Sequence, residues 1–279
     1  TAIASGVKCA NPDLNVWVIT GDGDGMAIGG NHFIHLIRRN IDLNVILFNN
    51  KIYGLTKGQY SPTTDRGFKT KTSPFGTIEE PFVPGQLVIG ARGNFFARTI
   101  DTNLKLSQEV FADAAKHKGT SVVEVLQNCV IFNDGIHNQI TDSEYRLERQ
   151  LVLRHGEPMI FGNDQNKGLM SVRGKLKVVT IGENGVTLDD ILVHDAHDPD
   201  PSLHLALVNM QLPDFPVVFG VIRDVEAPVY DHEMVKQINA IKQSSPIKNV
   251  DNMLHSGNTW VVEDNGNGKT SGELCKKLR

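Results

Sequence analysis

The feature that most constrains this 279-residue chain is a pair of β-rich runs, the first of which ends in a glycine cluster. Val16–Thr20 reads Val-Trp-Val-Ile-Thr and stops at Gly21-Asp22-Gly23-Asp24-Gly25. Leu43–Phe48 is apolar and stops at Asn49-Asn50. Between the runs, apolar residues from Met26 to Arg39 fall at helical spacing, and Arg38 and Arg39 suit the negative end of a helix dipole. The order is strand, glycine turn, helix, strand. That is a βαβ unit, whose two strands lie parallel with a right-handed connection. The first strand reads as a buried one.

A βαβ unit brings its two strand ends to one edge of the sheet. Asp22 and Asn50 are 28 residues apart, the span of one unit. Adjacent strands lie about 4.8 Å apart. Both side-chain oxygens therefore reach one ion at the carboxyl edge, where open α/β sheets bind ligands. Mg²⁺ takes hard oxygen ligands, commonly one or two carboxylates with phosphate and water completing an octahedron. The Ile52 carbonyl is a third candidate ligand. Gly21, Gly23 and Gly25 let backbone approach phosphate oxygens. A helix opening near Met26 points free N–H groups to the same place. The arrangement reads as the diphosphate-and-metal half of a cofactor site.

Two rival readings are an ordinary strand-to-helix turn and a dinucleotide fingerprint. The fingerprint G-x-G-x-x-G places Met26 at its last position when set on Gly21, and Ile28 when set on Gly23. The second strand ends in Asn-Asn, without the acid that holds a ribose hydroxyl. The fingerprint fails at both ends.

Farther along, residues 49–80 have no period, and so long a loop in a compact domain is usually functional. Pro84–Gly93 reads as a short helix, Phe95–Thr99 as a strand, Leu106–Lys118 as a helix and Ser121–Leu126 as a strand. The fold class is α/β, a doubly wound and mostly parallel sheet. The expected division is a cofactor-binding domain over 1–150 and an irregular C-terminal extension over 151–279. In the extension, Lys175–Ile181 and Val217–Val221 read as strands and His232–Lys242 as a short amphipathic helix. Thr187-Leu-Asp-Asp190 reads as a capping box opening a short helix. The tail from Ser244 reads as extended or mobile.

Composition narrows the function classes. A net charge of −4 leaves no electrostatic footprint for nucleic acid. No apolar run is long enough to span a bilayer. Three scattered cysteines, Cys9, Cys129 and Cys275, form no disulfide framework and fit a reducing, cytoplasmic setting. His32-x-x-His35 and His194-Asp-Ala-His-Asp198 have metal-like spacing. The first reads as helix packing and the second as a polar helix end. Ser61-Pro-Thr-Thr64 reads as a Pro-bearing loop, with contact to diphosphate or coenzyme A as the alternative.

Gly-Asp-Gly followed one βαβ length later by Asn-Asn resembles the thiamine diphosphate motif. Two longer runs are more specific: Gly21-Asp-Gly-Asp-Gly-Met-Ala-Ile-Gly-Gly-Asn-His32 and Phe48-Asn-Asn-Lys-Ile-Tyr-Gly-Leu-Thr-Lys-Gly-Gln-Tyr-Ser-Pro-Thr63. They resemble the β subunit of 2-oxoacid:ferredoxin oxidoreductases, most closely the 2-oxoglutarate type. The likeness continues through Val125–Cys129, Phe132–Asp134, Pro158–Phe161 and Pro213–Pro216.

The resemblance implies Mg²⁺ ligands at Asp22, Asn50 and the Ile52 carbonyl. It implies cofactor contacts at Gly21, Gly23, Asp24, Gly54, Leu55 and Thr56, and a catalytic Lys57 near the 2-oxoacid or coenzyme A. It makes Cys129 the last of four cysteines holding a [4Fe-4S] cluster. The other three are expected upstream of Thr1, since Thr1–Val7 resembles the middle of a family helix. The implied partners are an α subunit, which supplies the glutamate that activates the cofactor, and ferredoxin. The implied reaction is coenzyme A-dependent oxidative decarboxylation of a 2-oxoacid. Two alternatives stand beside it: a non-oxidative thiamine diphosphate decarboxylase or synthase, and a non-catalytic phosphate-binding module.

Overall fold

A computed structural model describes residues 1–258 and Trp260. The chain forms two compact units, Thr1–Met234 and Val235–Arg279. The first unit opens with helix α1 (Ala2–Ala10), strand β1 (Trp17–Gly21), helices α2 (Asp22–Met26) and α3 (Gly30–Arg39), and strand β2 (Asn44–Asn49). After the long loop come α4 (Pro84–Gly90), β3 (Phe95–Ile100), α5 (Leu104–Lys116) and β4 (Ser121–Leu126). Short helices α6 (Asn138–Thr141) and α7 (Arg146–Arg149) lead to β5 (Gln150–Val152). Next follow β6 (Ile160–Phe161), β7 (Lys167–Val172), β8 (Lys175–Thr180), a 3₁₀ turn at Leu188–Asp190, α8 (Ser202–Val208) and β9 (Val217–Asp224). Helix α9 (Tyr230–Ser244) begins in this unit. The second unit contains the end of α9 and α10 (Val250–Leu254), whose cap Asn249 accepts from Asn252 N–H.

The strands form one sheet in the order β1-β2-β4-β3-β9-β5, with β6, β7 and β8 in a separate antiparallel sheet. In the large sheet, β3 against β9 is the antiparallel pair and the other pairs are parallel. Side chains alternate across a strand, and here the alternation feeds two cores. Val45, Leu47, Phe96 and Val122 join α3, α4 and α8 on one face. Phe95, Ala97, Val123 and Val125 join Leu106, Val110 and Ala114 of α5 on the other. Helices on both faces of a mostly parallel sheet bear out the doubly wound fold class.

The structure departs from the sequence reading in four places. β1 is an edge strand, not a buried one, because it pairs with β2 alone, and Ile19 is 70% exposed. The expected helix from Met26 to Arg39 is two helices. The chain doubles back at Ala27–Gly29, where Gly29 N–H reaches Asp24 O and a Cβ on Gly29 would stand 2.5 Å from that oxygen. Residues 194–198 are not a helix end but an irregular segment with a turn at Ala196–His197, in which His194 and Ala196 are buried and Asp195 and His197 exposed. His194 bonds Val221 O, and Asp195 O bonds His204. Past Ser244, Asn249 caps the short helix α10 where an extended tail was expected; the rest of that expectation, from 261 on, lies outside the described residues. The expected domain boundary near 150 falls at the start of β5, and β5 and β9 complete the large sheet.

His194 and His204 are fully buried, and His137 nearly so. Burial pushes all three imidazoles below their ordinary value. Arg223 can only donate, so His204 Nδ1 accepts from it at 2.9 Å, and Nε2–H donates to Asp195 O. Protonating that ring would set N–H against N–H. A depressed folded value means that the unfolded chain binds these protons first as pH falls. Stability is therefore complete above about pH 6.5 and falls as pH drops toward the folded values, with a slope of at most about 1.4 kcal/mol per pH unit for each ring. Urea unfolding between pH 7.5 and 5.5 checks this, and His204→Gln is expected to flatten the dependence.

Candidate functional site

The site forms where β1 and β2 end side by side. Their parallel register runs to Gly21 opposite Phe48, so Asp22 and Asn50 both emerge just past the carboxyl edge. Asp22 begins α2 immediately and is 2% exposed. Its Oδ2 accepts from the Ser61 and Thr63 hydroxyls, each at 2.5 Å. Both hydroxyls land on the same carboxylate oxygen. Burial raises the Asp22 carboxyl above its ordinary value, against the lowering effect of the two hydroxyl bonds. A bound cation would relieve the desolvation that causes this shift.

The opposite wall comes from the turn after β2. Asn50 Oδ1 accepts from Ile52 N–H at 3.2 Å, which folds the chain so that Ile52 is buried beneath it. No donor among the described residues engages the Ile52 carbonyl. Tyr53 reaches back to β1 and donates its hydroxyl to Gly23 O at 3.0 Å. Gly23 is required there, because a Cβ would stand 2.2 Å from the Tyr53 ring. Asp22, Asn50, Ile52, Gly21 and Gly23 are thus brought together. Asp24 is exposed on the same turn.

Gly54, Leu55, Thr56 and Lys57 form the tip of a tight loop closed at its base by Tyr53 and Gln59. Lys57 adopts φ of 67°, donates its N–H to Gly54 O, and is exposed. Leu55 is 98% exposed, an apolar side chain held out into solvent above the glycine turn's loop partner.

Cys129 follows β4. Its carbonyl accepts from Asn133 N–H, and the Asn133 amide donates to Asn50 O at 2.9 Å. The cysteine loop is therefore tied to the Asn50 turn. Cys9 and Cys129 are both free thiols, and Cys275 lies outside the described residues. Cys9 sits by Asp231 and Arg39, whose charges act on its thiol, so it belongs to the far end of α3. Among the described residues, the group of ligating side chains close enough to share a metal is Asp42, Asp231 and His232; Lys8 already pairs with Asp42 at 3.0 Å.

Several residues were not legible in advance. Two hydroxyls of the Ser61-Pro-Thr-Thr64 loop hold the Asp22 carboxylate, a role its sequence did not indicate. Arg98 and Glu124 were missed altogether, although each is a charge in the middle of an apolar strand. They form a buried pair at 2.7 Å. With Asn49, Thr63 and His137 they line a cavity of about 450 Å³ beside the site.

Residues 1–125 match the family described as thiamine pyrophosphate enzyme, C-terminal TPP binding domain. The chain is 41% identical to the 2-oxoglutarate oxidoreductase subunit KorB of Mycobacterium tuberculosis, over 94% of this chain and 70% of that one. The chain belongs to the 2-oxoglutarate oxidoreductase β-subunit family. It is 50% identical to the 2-oxoglutarate synthase subunit KorB of Archaeoglobus fulgidus, over 46% of this chain and 48% of that one. The fold is similar to the 2-oxoglutarate:ferredoxin oxidoreductase from Magnetococcus marinus, solved with 2-oxoglutarate, coenzyme A and succinyl-CoA bound. That likeness has a TM-score of 0.68 and 25% identity, and covers 92% of this chain and 72% of that one. The family and fold named from the two sequence runs are thus borne out.

Removing one hydroxyl from Asp22 tests its preparation for a cation. Ser61→Ala is expected to weaken Mg²⁺-dependent thiamine diphosphate binding by about tenfold while the protein stays folded, since losing a ligand's hydrogen-bond partner typically has that effect. Calorimetric titration and a thermal melt together check it.

Proposed function

We propose that the chain is the β subunit of a thiamine diphosphate-dependent 2-oxoglutarate:ferredoxin oxidoreductase, working in the cytoplasm with an α subunit. The reaction is coenzyme A-dependent oxidative decarboxylation of a 2-oxoacid, with 2-oxoglutarate the favoured substrate. The observation that carries this reading is the meeting of Asp22 and Asn50 at the ends of two paired parallel strands, with a glycine turn between them. The donor set fits the group. It offers a buried carboxylate with one oxygen spoken for, an amide oxygen, a backbone carbonyl without a protein donor, and a turn where a Cβ would collide. Hard oxygen donors of this kind suit Mg²⁺.

In this reading, Asp22, Asn50 and the Ile52 carbonyl hold Mg²⁺, and Gly21, Gly23 and Asp24 border the diphosphate. Gly54, Leu55 and Thr56 carry the loop against the cofactor. When bound, thiamine diphosphate supplies the nucleophilic carbon and the electron sink for decarboxylation. Lys57 meets a carboxylate of the 2-oxoacid or a phosphate of coenzyme A, a role that suits an ammonium on a flexible stem. The exposed Leu55 and Lys57 leave the site open on this chain, and the α subunit closes it and excludes water. Cys129, on the loop bonded to Asn50, is one thiolate of a [4Fe-4S] cluster. Such a cluster would need three more thiolates, and it would supply one-electron transfer toward ferredoxin.

The deciding experiment is an anaerobic assay of the α–β complex against a panel of 2-oxoacids with coenzyme A and a viologen acceptor. Reduction is expected with 2-oxoglutarate. No coenzyme A-dependent reduction with any 2-oxoacid would overturn the reading. Lys57→Ala is expected to lower kcat/KM for the 2-oxoacid by about 10- to 100-fold, the range of one hydrogen bond to a charged group. Steady-state kinetics at saturating cofactor measure it.

A further inference from the structure

One side chain joins three parts of the site without being among the expected metal ligands. Asn49 ends β2 and is 3% exposed. Its Nδ2 donates to Glu124 Oε1 at 2.7 Å. Its Oδ1 accepts from Lys51 N–H at 3.3 Å and shares with Asp22 Oδ2 the single proton of the Thr63 hydroxyl, 3.0 Å away. Lys51 lies in the turn between Asn50 and Ile52. Thr63 is one of the two hydroxyls on Asp22. Asn49 therefore ties the Asn50 turn and the Asp22 hydroxyl loop to the centre of the sheet.

Glu124 decides which way round that amide sits. Glu124 and Arg98 are register partners on β4 and β3, 1% and 5% exposed. Arg98 Nε donates to Glu124 Oε2, and its guanidinium also reaches Val218 O at 3.4 Å. A carboxylate paired with a guanidinium accepts and does not donate. Asn49 must then turn its NH₂ toward Glu124 and its oxygen toward Lys51 and Thr63. The reversed amide would set oxygen against oxygen at Glu124 and N–H against N–H at Lys51.

We infer that Arg98 and Glu124 are positioning residues for the cation–diphosphate site. Acting through the Asn49 amide, they fix the turn that presents Asn50 and Ile52 and the hydroxyl that holds Asp22. The inference rests on the proposed role of Asp22, Asn50 and Ile52. It differs from a purely stabilising role in a measurable way. A buried ion pair can often be replaced by apolar side chains with little change in stability or with a gain, yet such a replacement leaves Asn49 without the acceptor that orients it.

The test uses the α–β complex and the double variant R98M/E124M. Melting is followed alongside calorimetric titration with thiamine diphosphate in excess Mg²⁺. The expected result is a melting temperature at or above that of the parent, with thiamine diphosphate affinity lowered about 10- to 100-fold. A folded double variant with parental affinity would overturn the inference. If the double variant does not assemble, E124Q carries the test. Its oxygen goes to Arg98 and its NH₂ to Asn49, so the Asn49 amide reverses and the same loss of affinity is expected. Parental affinity in E124Q, or failure of both variants to fold, assigns the pair to structure alone and overturns the inference. A parental complex that binds no thiamine diphosphate would instead remove the proposed function on which the inference rests.

Discussion

Everything in the site depends on the parallel pairing of β1 with β2. Their register ends at Gly21 and Phe48, which sets Asp22 across from the Asn49–Asn50 end. Interstrand spacing is fixed by backbone hydrogen bonds, so the distance available to a shared ion is a property of the sheet rather than of any loop. The helices on both faces exist to hold that sheet flat enough and long enough. Val45 and Leu47 are buried against α3, and Val123 and Val125 against α5.

From that edge inward, the site is held by polar contacts that lie in the sheet itself. Asp22 leans on Ser61 and Thr63, Thr63 and the Asn50 turn on Asn49, Asn49 on Glu124, and Glu124 on Arg98. A buried polar group is costly unless satisfied, and in this run each member is satisfied by the next. The arrangement is rigid where the diphosphate would sit. It is open where Leu55 and Lys57 stand out from the loop tip.

The C-terminal half contributes to the same scaffold. β9 enters between β3 and β5, and Gly220 takes φ of 94° where a Cβ would meet Leu153 O at 2.5 Å. The histidines after the 3₁₀ turn pack behind this strand as neutral rings, each with a backbone carbonyl to bond. Of the pair with metal-like spacing, His194 bonds Val221 O and His197 bonds Asp224 O, and among the described residues neither belongs to a group of three ligating side chains close enough to share a metal.

By itself the sequence determined the βαβ unit, the positions of β2, β3 and β4, the pairing of Asp22 with Asn50, and the family. These follow from local period, glycine chemistry and two long specific runs, all of which are written along the chain. Only the tertiary structure decided that β1 is an edge, that the helix after the glycine turn breaks at Gly29, that Ser61 and Thr63 serve Asp22, and that Arg98 and Glu124 orient Asn49. The reason is physical. Strand order, a chain doubling back and hydrogen bonds between residues 26 to 75 positions apart depend on which elements become neighbours. No local pattern carries that information. A charge inside an apolar strand announces that a partner exists, and the sheet's register alone names it.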